Sequence, residues 1–513
     1  MAIVEPIPSN SPDEPRRLRL RSVVDLEEIG EIEVQPASEV KAALERARKA
    51  QPAWAALSVE KRAGYLKGVL KILLDRQEDV IETVIRETGK TRSEAITMEV
   101  FASADSLSYY SKRAAKLLAP KPRSLHGVMR FMKKVTIHQV PLGVVGIITP
   151  WNGPFILSLN PTAQALVAGN AVLLKPSEVT PFSAQLFAEM FREAGLPEGV
   201  LQVLVGDGET GAALCESGVD KISFTGSVET GRKVGESCAR QLIPCTLELG
   251  GKDPMIVCAD ADIESAAAGA LAGAYMNTGQ YCCGTERVYV VDSVADAFIE
   301  EVVKRASKLR QGDKGESDVG PIFWPRQMEI IETHMADAIE KGAVVRVGGR
   351  RNPDLEGLYF EPTVLTDVNH DMQIMVDETF GPILPIMRVA DEDEALRLAN
   401  DTRYGLGATV WTHDEFKATS IAKQLESGSV CINDMTVTYG VIEAPFGGRK
   451  TSGVGQVNGD NGILGYCYQL PVIVDRWKGK NSRNFYPYGK KKDEGVQKAA
   501  RFLFGTSLGR WLS

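Results

Sequence analysis

Apolar positions along the chain fall into two alternating patterns. Short apolar runs at 144–148, 171–174, 201–205 and 221–224 read as strands. Between them, 160–169 and 181–194, the latter ended by Gly195, have the three-to-four-residue spacing of amphipathic helices. A run at 247–251 closes this series. A second strand and helix series begins at Asp253, with an Ala/Gly-rich helix at 262–277 and a strand at 287–291. Strands alternating with helices predict parallel sheets and an α/β class, here two Rossmann-like doubly wound lobes. Two segments fit neither lobe: 130–140, basic and β-branched, and 464–474. Both read as edge strands of a small projecting β arm, which an oligomer contact would cover. The organisation expected is 1–119 with 142–249 as one lobe, 250–459 as the second, 120–141 with 460–475 as the arm, and 476–513 as a basic C-terminal extension.

Composition narrows the classes. The 513 residues include 44% hydrophobic and 25% charged positions, which excludes a disordered or collagen-like chain. A net charge of −8 gives no reason to expect a nucleic-acid partner. Residues 476–513 carry ten Lys/Arg against two Asp/Glu, so the tail is +8 and the remainder −16. Eight irregularly spaced cysteines describe no disulfide framework, and a reducing, cytoplasmic setting is expected. No secretory leader pattern and no spanning apolar run are present, so the protein is expected to be soluble or at most peripheral to a membrane.

Candidate chemistry concentrates in four places. Gly279-Gln280-Tyr281-Cys282-Cys283-Gly284 sets a cysteine in a glycine-bounded loop beside a helix end, where a thiol can become a nucleophile. Most free cysteines are inert and buried, and no His or Cys cluster at metal spacing accompanies this loop, so no metal is expected. Glu248-Leu249-Gly250-Gly251 puts a carboxylate at a strand end, where it can serve as a general base through water, although a solvated glutamate is the commoner occurrence. Gly206-Asp207-Gly208-Glu209-Thr210-Gly211 matches a dinucleotide fingerprint but lacks its downstream acid. Phe224-Thr225-Gly226-Ser227 is an equally good pyrophosphate turn, and Lys175-Pro176-Ser177-Glu178 supplies an acid for a ribose. The Gly505-Thr506-Ser507-Leu508-Gly509 match to a serine-nucleophile elbow fails, because no strand precedes it and no His follows.

In this order the motifs resemble the NAD(P)-dependent aldehyde dehydrogenase superfamily across about residues 34–474. The resemblance implies Cys282 as nucleophile, Glu248 as general base, and Asn152 of Thr149-Pro150-Trp151-Asn152 as an oxyanion donor. It implies NAD, with NADP disfavoured by Glu178, held by Thr149, Pro150, Trp151, Lys175, Ser177, Glu178, Gly208, Gly211, Phe224, Gly226 and Ser227. Glu378 and Phe380 of Glu378-Thr379-Phe380-Gly381-Pro382 would meet the nicotinamide end. Gly153, Tyr281 and Phe446 would face the substrate, an aldehyde oxidised to an acid through a thiohemiacetal and a thioester. Gly153 stands where many members carry an aromatic residue, which implies a wider tunnel wall and an apolar or bulky substrate. A homodimer or homotetramer is implied. A coenzyme A-acylating dehydrogenase, a nucleotide-free thiol esterase and a non-catalytic scaffold are the rivals. The tail, with Lys490-Lys491-Lys492 before an aromatic and basic helical pattern, is expected either to meet lipid, to cap the tunnel, or to pack on the acidic body or a neighbouring subunit.

Overall fold

The computed structural model describes residues 3–8, 15–312, 317–435, 437–476, 486 and 488–512. One sheet has six strands, in the order Gly453–Val454, Cys245–Glu248, Lys221–Thr225, Val144–Ile148, Ala171–Lys175 and Leu201–Val203. Its five inner pairings are parallel except at the Gly453–Val454 edge, which runs antiparallel. The chain starts at the central strand Val144–Ile148, moves outward through Ala171–Lys175 and Leu201–Val203, then crosses back to Lys221–Thr225 on the other side. This reversal creates a crevice at the carboxyl ends of Val144–Ile148 and Lys221–Thr225, where doubly wound sheets bind ligands.

The other sheet runs Val344–Val347, Thr363–Thr366, Ile383–Val389, Thr285–Val291, Asp253–Val257, Thr409–Trp411, Cys431–Ile432, parallel except for Val344–Val347. Its central strands, Asp253–Val257 and Thr285–Val291, are buried at every residue, as parallel strands covered on both faces must be. Only Leu249-Gly250-Gly251-Lys252 separates Cys245–Glu248 from Asp253–Val257, so Glu248 stands at the junction of the two sheets. Two Rossmann-like sheets are thus the architecture, as the alternating pattern predicts.

Element boundaries shift for local reasons. The helix expected at 160–169 is Ile156–Ala168, starting a turn earlier despite Pro161. All its residues are buried except Leu157. The helix expected at 262–277 ends at Tyr275, and a 3-10 turn, Met276–Gly279, follows. The arm is a three-stranded sheet of Lys121–Arg123, Lys133–Pro141 and Cys467–Asp475, with Tyr468, Leu470, Val472, Ile473 and Val474 exposed. A further small sheet, Val4–Ile7, Arg17–Arg21 and Glu28–Glu33, was not anticipated; Leu18 and Leu20 point into a core while the alternating arginines stay out. In the tail, no residue of the helix Lys490–Gly505 is buried, and Val496, Phe502 and Phe504 are exposed. Among the described residues no helix is long and apolar enough to cross a membrane.

Candidate active site

The switch-point crevice is a cavity of about 440 Å³. Thr149, Pro150, Trp151, Lys175, Ser177, Glu178, Gly208, Gly211, Phe224, Gly226 and Ser227 all line it, together with Cys215, Thr230, Lys233 and Arg240, which the motifs did not suggest. Most of the motif residues lie at or just beyond the end of a strand, Val144–Ile148, Ala171–Lys175 or Lys221–Thr225, while Gly208 and Gly211 lie in the helix Gly208–Glu216 that follows Leu201–Val203. Ser227 caps the helix Val228–Gln241, its hydroxyl accepting from the Thr230 backbone N–H at 3.3 Å, so the positive end of that helix opens on the crevice. A Cβ at Gly226 would lie 2.6 Å from the Phe224 ring, which leaves glycine the residue that fits the turn. Lys175 Nζ donates to Glu178 at 3.0 Å, with the glutamate one-third exposed and free to meet hydroxyl groups. An open crevice with a capped helix end and a strand-end carboxylate fits an adenosine diphosphate moiety.

A second cavity of about 230 Å³ continues from the first, sharing Pro150, Trp151, Thr225, Gly226 and Ser227. It adds Asn152, Leu157, Glu248, Leu249, Gly250, Cys282, Arg326, Glu378 and Phe380. Behind it a small pouch is lined by Leu157, Asn160, Pro161, Ser223, Thr225, Glu248, Leu249, Cys282, Tyr439, Phe446 and Val457. Cys282, Glu248 and Asn152, separated by up to 130 positions in sequence, therefore meet at one cavity. Phe446 lines the pouch, whereas Gly153 and Tyr281 line none of these three spaces. A Cβ built on Gly153 would lie 3.0 Å from Leu157 Cγ, so the wall at this point is set by Leu157 rather than left open by glycine. Tyr281 packs instead with Cys283, Leu406, Phe446 and Val457.

The cysteine loop is held in an unusual backbone shape. Asn277, Thr278 and Gly279 follow one another at φ 55°, 58° and 71°, a left-handed run that survives only where the surroundings impose it. Gly279 has no alternative, because a Cβ there would lie 2.1 Å from the Gly381 carbonyl oxygen. The buried Gln280 is the internal strut: its Nε2 donates to the carbonyls of Asn277 and Pro321 at 3.2 Å each, and its Oε1 accepts from Phe323 N at 2.8 Å. Its own carbonyl accepts from Asn152 Nδ2 at 3.0 Å, which ties the candidate oxyanion donor to the loop that carries Cys282. Asn277 Nδ2 reinforces this by donating to the Asn152 carbonyl at 3.0 Å.

Glu248 is the last residue of its strand and is only 6% exposed. Neither of its carboxylate oxygens has a hydrogen-bond partner among the described residues. Burial, and then the nearby Cys283 sulfur, push its carboxyl well above the usual carboxylate range. The Cys282 thiol is likewise held well above the ordinary thiol range, by a hydrogen bond with Cys283 and by burial. Burial thus disfavours the ionised form of both groups.

Glu378 depends on the glycine pair of the Glu248 motif. Its Oε1 accepts from Gly251 N at 3.0 Å, and a Cβ at Gly250 would lie 2.1 Å from its Oε2. Burial pushes its carboxyl up to about 8. Phe380, at φ 50°, is fixed because the Glu286 carboxylate accepts from both Thr379 N and Phe380 N at 2.8 Å. Glu286 is itself paired with the buried Lys252 at 2.6 Å, a pair whose rupture typically costs about 3–5 kcal/mol. Phe380 then meets Trp151 edge to face, ring centroids 5.5 Å apart. The one cluster among the described residues with metal-like spacing, Cys258, Asp260 and Glu392, lies elsewhere and already holds the Lys417 ammonium at 2.7 Å from Asp260 and 3.0 Å from Glu392.

Comparison with known proteins agrees with this geometry. The profile of the aldehyde dehydrogenase family matches residues 11–470. The 4,4'-diapolycopene aldehyde oxidase of Methylomonas sp. is 40% identical over 477 residues, covering 93% of this chain and 89% of that protein. A putative succinate-semialdehyde dehydrogenase [NADP(+)] of Mycolicibacterium smegmatis is 38% identical, covering 88% and 87%. Among solved structures, the aldehyde dehydrogenase of Mycobacterium tuberculosis complexed with NAD+ superposes with a TM-score of 0.85 at 34% identity, covering 91% of this chain and 95% of that one. The NAD-dependent aldehyde dehydrogenase of Sinorhizobium meliloti gives 0.88 at 35% identity, covering 92% and 93%. With nearly its whole length matched and its motif residues gathered around one cavity, the chain belongs to the aldehyde dehydrogenase family, an NAD(P)-dependent oxidoreductase.

Proposed function

We propose that Cys282, once its thiol proton has passed to water, adds its sulfur to the carbonyl carbon of an apolar aldehyde, and that the product is the carboxylic acid. The observation that carries this reading is the convergence of Cys282, Glu248 and Asn152 on one small cavity. Addition converts the carbonyl oxygen to an oxyanion, which Asn152 Nδ2 and the Cys282 backbone N–H stabilise; losing one such donor typically costs about 3–4 kcal/mol in the transition state. Thr149, Lys175, Ser177, Glu178, Gly226, Ser227, Glu378 and Phe380 would hold NAD, which when bound supplies the acceptor for the hydride that the substrate carbon gives up. Collapse of the thiohemiacetal then leaves an acyl thioester on Cys282. Glu248 takes a proton from a water molecule, the resulting hydroxide attacks the thioester, and the acid leaves as the thiolate is released. Because burial disfavours the ionised forms of Glu248 and Cys282 that the reaction uses, turnover is expected to rise with pH. The presence of Glu248 favours water over coenzyme A as the acceptor of the acyl group.

The pouch behind Cys282 supports an apolar substrate. Leu157, Pro161, Leu249, Tyr439, Phe446 and Val457 line it, and among the described residues its one charged lining residue is Glu248. The 40% identical relative carries the name 4,4'-diapolycopene aldehyde oxidase, which agrees with an apolar substrate. Glu178 favours NAD over NADP, since a 2′-phosphate would face a like charge. The exposed apolar strand Cys467–Asp475 supports an arm that joins subunits into a dimer or tetramer. The tail helix, with an unburied apolar face beside Lys490, Lys491, Lys492, Lys498 and Arg501, fits an anionic lipid surface at which such aldehydes partition.

A panel of short and long aliphatic, polyene and carboxylated aldehydes, run with NAD and with NADP, tests this reading. It expects kcat/KM to rise with apolar length and to be higher with NAD. Best turnover of a carboxylated semialdehyde, or acyl-coenzyme A formed when coenzyme A is added, would contradict it. Deleting residues 490–513 should abolish co-sedimentation with anionic vesicles and leave soluble-substrate turnover intact; unchanged co-sedimentation would remove the tail from the proposal.

A further inference from the structure

We infer that residues 87–99 form a positioning clamp, in which the carboxylates of Glu87, Glu94 and Glu99 each hold one of the three chain segments that carry the site proposed above. The inference rests on that reading of the site. Glu99 is fully buried and ion-paired with the equally buried Lys90. Its Oε2 accepts from the backbone N–H groups of Phe155 at 3.2 Å and Ile156 at 2.9 Å. These are the first donors of the helix Ile156–Ala168, whose own N-cap residue supplies no side-chain bond. Asn152 lies four residues before that helix.

Glu94 acts on the cysteine loop. Its Oε1 accepts from Asn277 N at 2.6 Å, the first residue of the left-handed run that leads to Cys282. Its Oε2 is fixed in turn by Thr91, through the backbone N–H at 3.2 Å and the hydroxyl at 3.0 Å. Glu87 does for the cofactor side what Glu99 does for Asn152. Its carboxylate accepts from Phe182 N, from Ser183 N at 3.0 Å and from the Ser183 hydroxyl, at the start of the helix Pro181–Glu193, which also lacks a side-chain cap of its own. Glu178 lies three residues before that helix.

The backbone between Glu94 and Glu99 is shaped for this double task. Residues five apart on an α-helix point about 140° away from each other. Here Ala95–Phe101 is a π-helix, whose wider i→i+5 turn brings both carboxylates to the side packed on the body. Glu87, Glu94 and Glu99 touch neither cavity; they act by fixing Glu178, the Cys282 loop and Asn152.

The clamp predicts that its members separate two kinetic quantities which a general scaffold would move together. Alkylation of Cys282 by iodoacetamide, located by peptide mass spectrometry, is measured beside kcat, the KM for NAD and the melting temperature. Glu94→Ala should slow Cys282 alkylation and lower kcat at least tenfold, with the KM for NAD within twofold; Glu94→Gln, which keeps an acceptor, should recover most of the loss. Glu87→Ala should raise the KM for NAD at least tenfold, with alkylation within twofold. Should an alanine variant fail to fold, the glutamine pair carries the same comparison with smaller shifts. Parameters that move together in step with the melting temperature, or that do not move, would overturn the clamp. Retained turnover in Cys282→Ala would instead overturn the reading of the nucleophile, whatever the two glutamates do.

Discussion

Glu178 and Glu248 stand at or just beyond the carboxyl ends of strands in the same sheet, yet their surroundings are opposite. Glu178 is one-third exposed beside Lys175, in an open crevice. Glu248 is buried with no hydrogen-bond partner among the described residues, next to a sulfur, and its carboxyl is pushed well above the usual range. On the proposed reading the first recognises hydroxyl groups and disfavours a phosphate. The second can gain and lose a proton during a reaction. The chemistry of a carboxylate is thus assigned by solvent and neighbours rather than by residue type or position on a strand.

The largest effect expected on the catalytic side is at the sulfur. Cys282→Ala should abolish aldehyde oxidation and acyl-enzyme formation, while Cys283→Ala keeps most turnover; the check is a steady-state assay paired with intact-protein mass spectrometry after mixing with substrate. Next, Asn152→Ala should lower kcat by about 100–1,000-fold, the usual cost of one oxyanion donor. The KM for NAD should stay unchanged, and a matching rise in that KM would place Asn152 on the recognition side of the comparison. On that side, Glu178→Gln should narrow the preference for NAD over NADP by about tenfold with kcat preserved, measured as the ratio of kcat/KM values.

The smallest effect concerns stability. The buried Glu87 carboxyl is raised, chiefly by burial, from 4.5 to about 7. Between those values the unfolded chain has given up the proton that the folded chain still holds, so stability falls as pH rises across the window, and the contribution is fully present only below about pH 4.5. Urea midpoints from pH 5 to 8 should show this decline, and Glu87→Gln should flatten it. A midpoint that rises with pH in the parent and is unaltered in the variant would contradict it.

Much of this arrangement could be read from local pattern. Apolar runs at 144–148, 171–174 and 221–224 marked the strands, and the glycines at 226, 250, 251 and 279 marked the turns on which site residues sit. The reason for those glycines was not local. Gly250 is bare because Glu378, well over a hundred residues further on, occupies the space a Cβ would need, and Gly279 because of the Gly381 carbonyl. The helix after Asn152 was expected to start at Asn160, beside Pro161. It starts at Ile156 because Glu99, from a distant segment, takes up its first N–H groups. Gly153 suggested an open wall, but Leu157, the single unburied residue of that helix, fills it. Little in the local pattern singles out Glu87, Glu94 and Glu99, since glutamates are rarely buried. A signal was present nonetheless: Glu87 continues the buried stripe of Val80, Ile81 and Val84. The N-terminal sheet, too, was legible in the alternation Arg17-Leu18-Arg19-Leu20-Arg21 and was passed over.

The most direct test of the contrast between the two carboxylates is a rapid-mixing measurement of reduced cofactor in Glu248→Gln with saturating aldehyde and NAD. The account predicts a burst of one equivalent per active site, followed by turnover slowed by about 100-fold or more, with the acyl group retained on Cys282. Steady turnover at the parent rate, or absence of the burst, would contradict it.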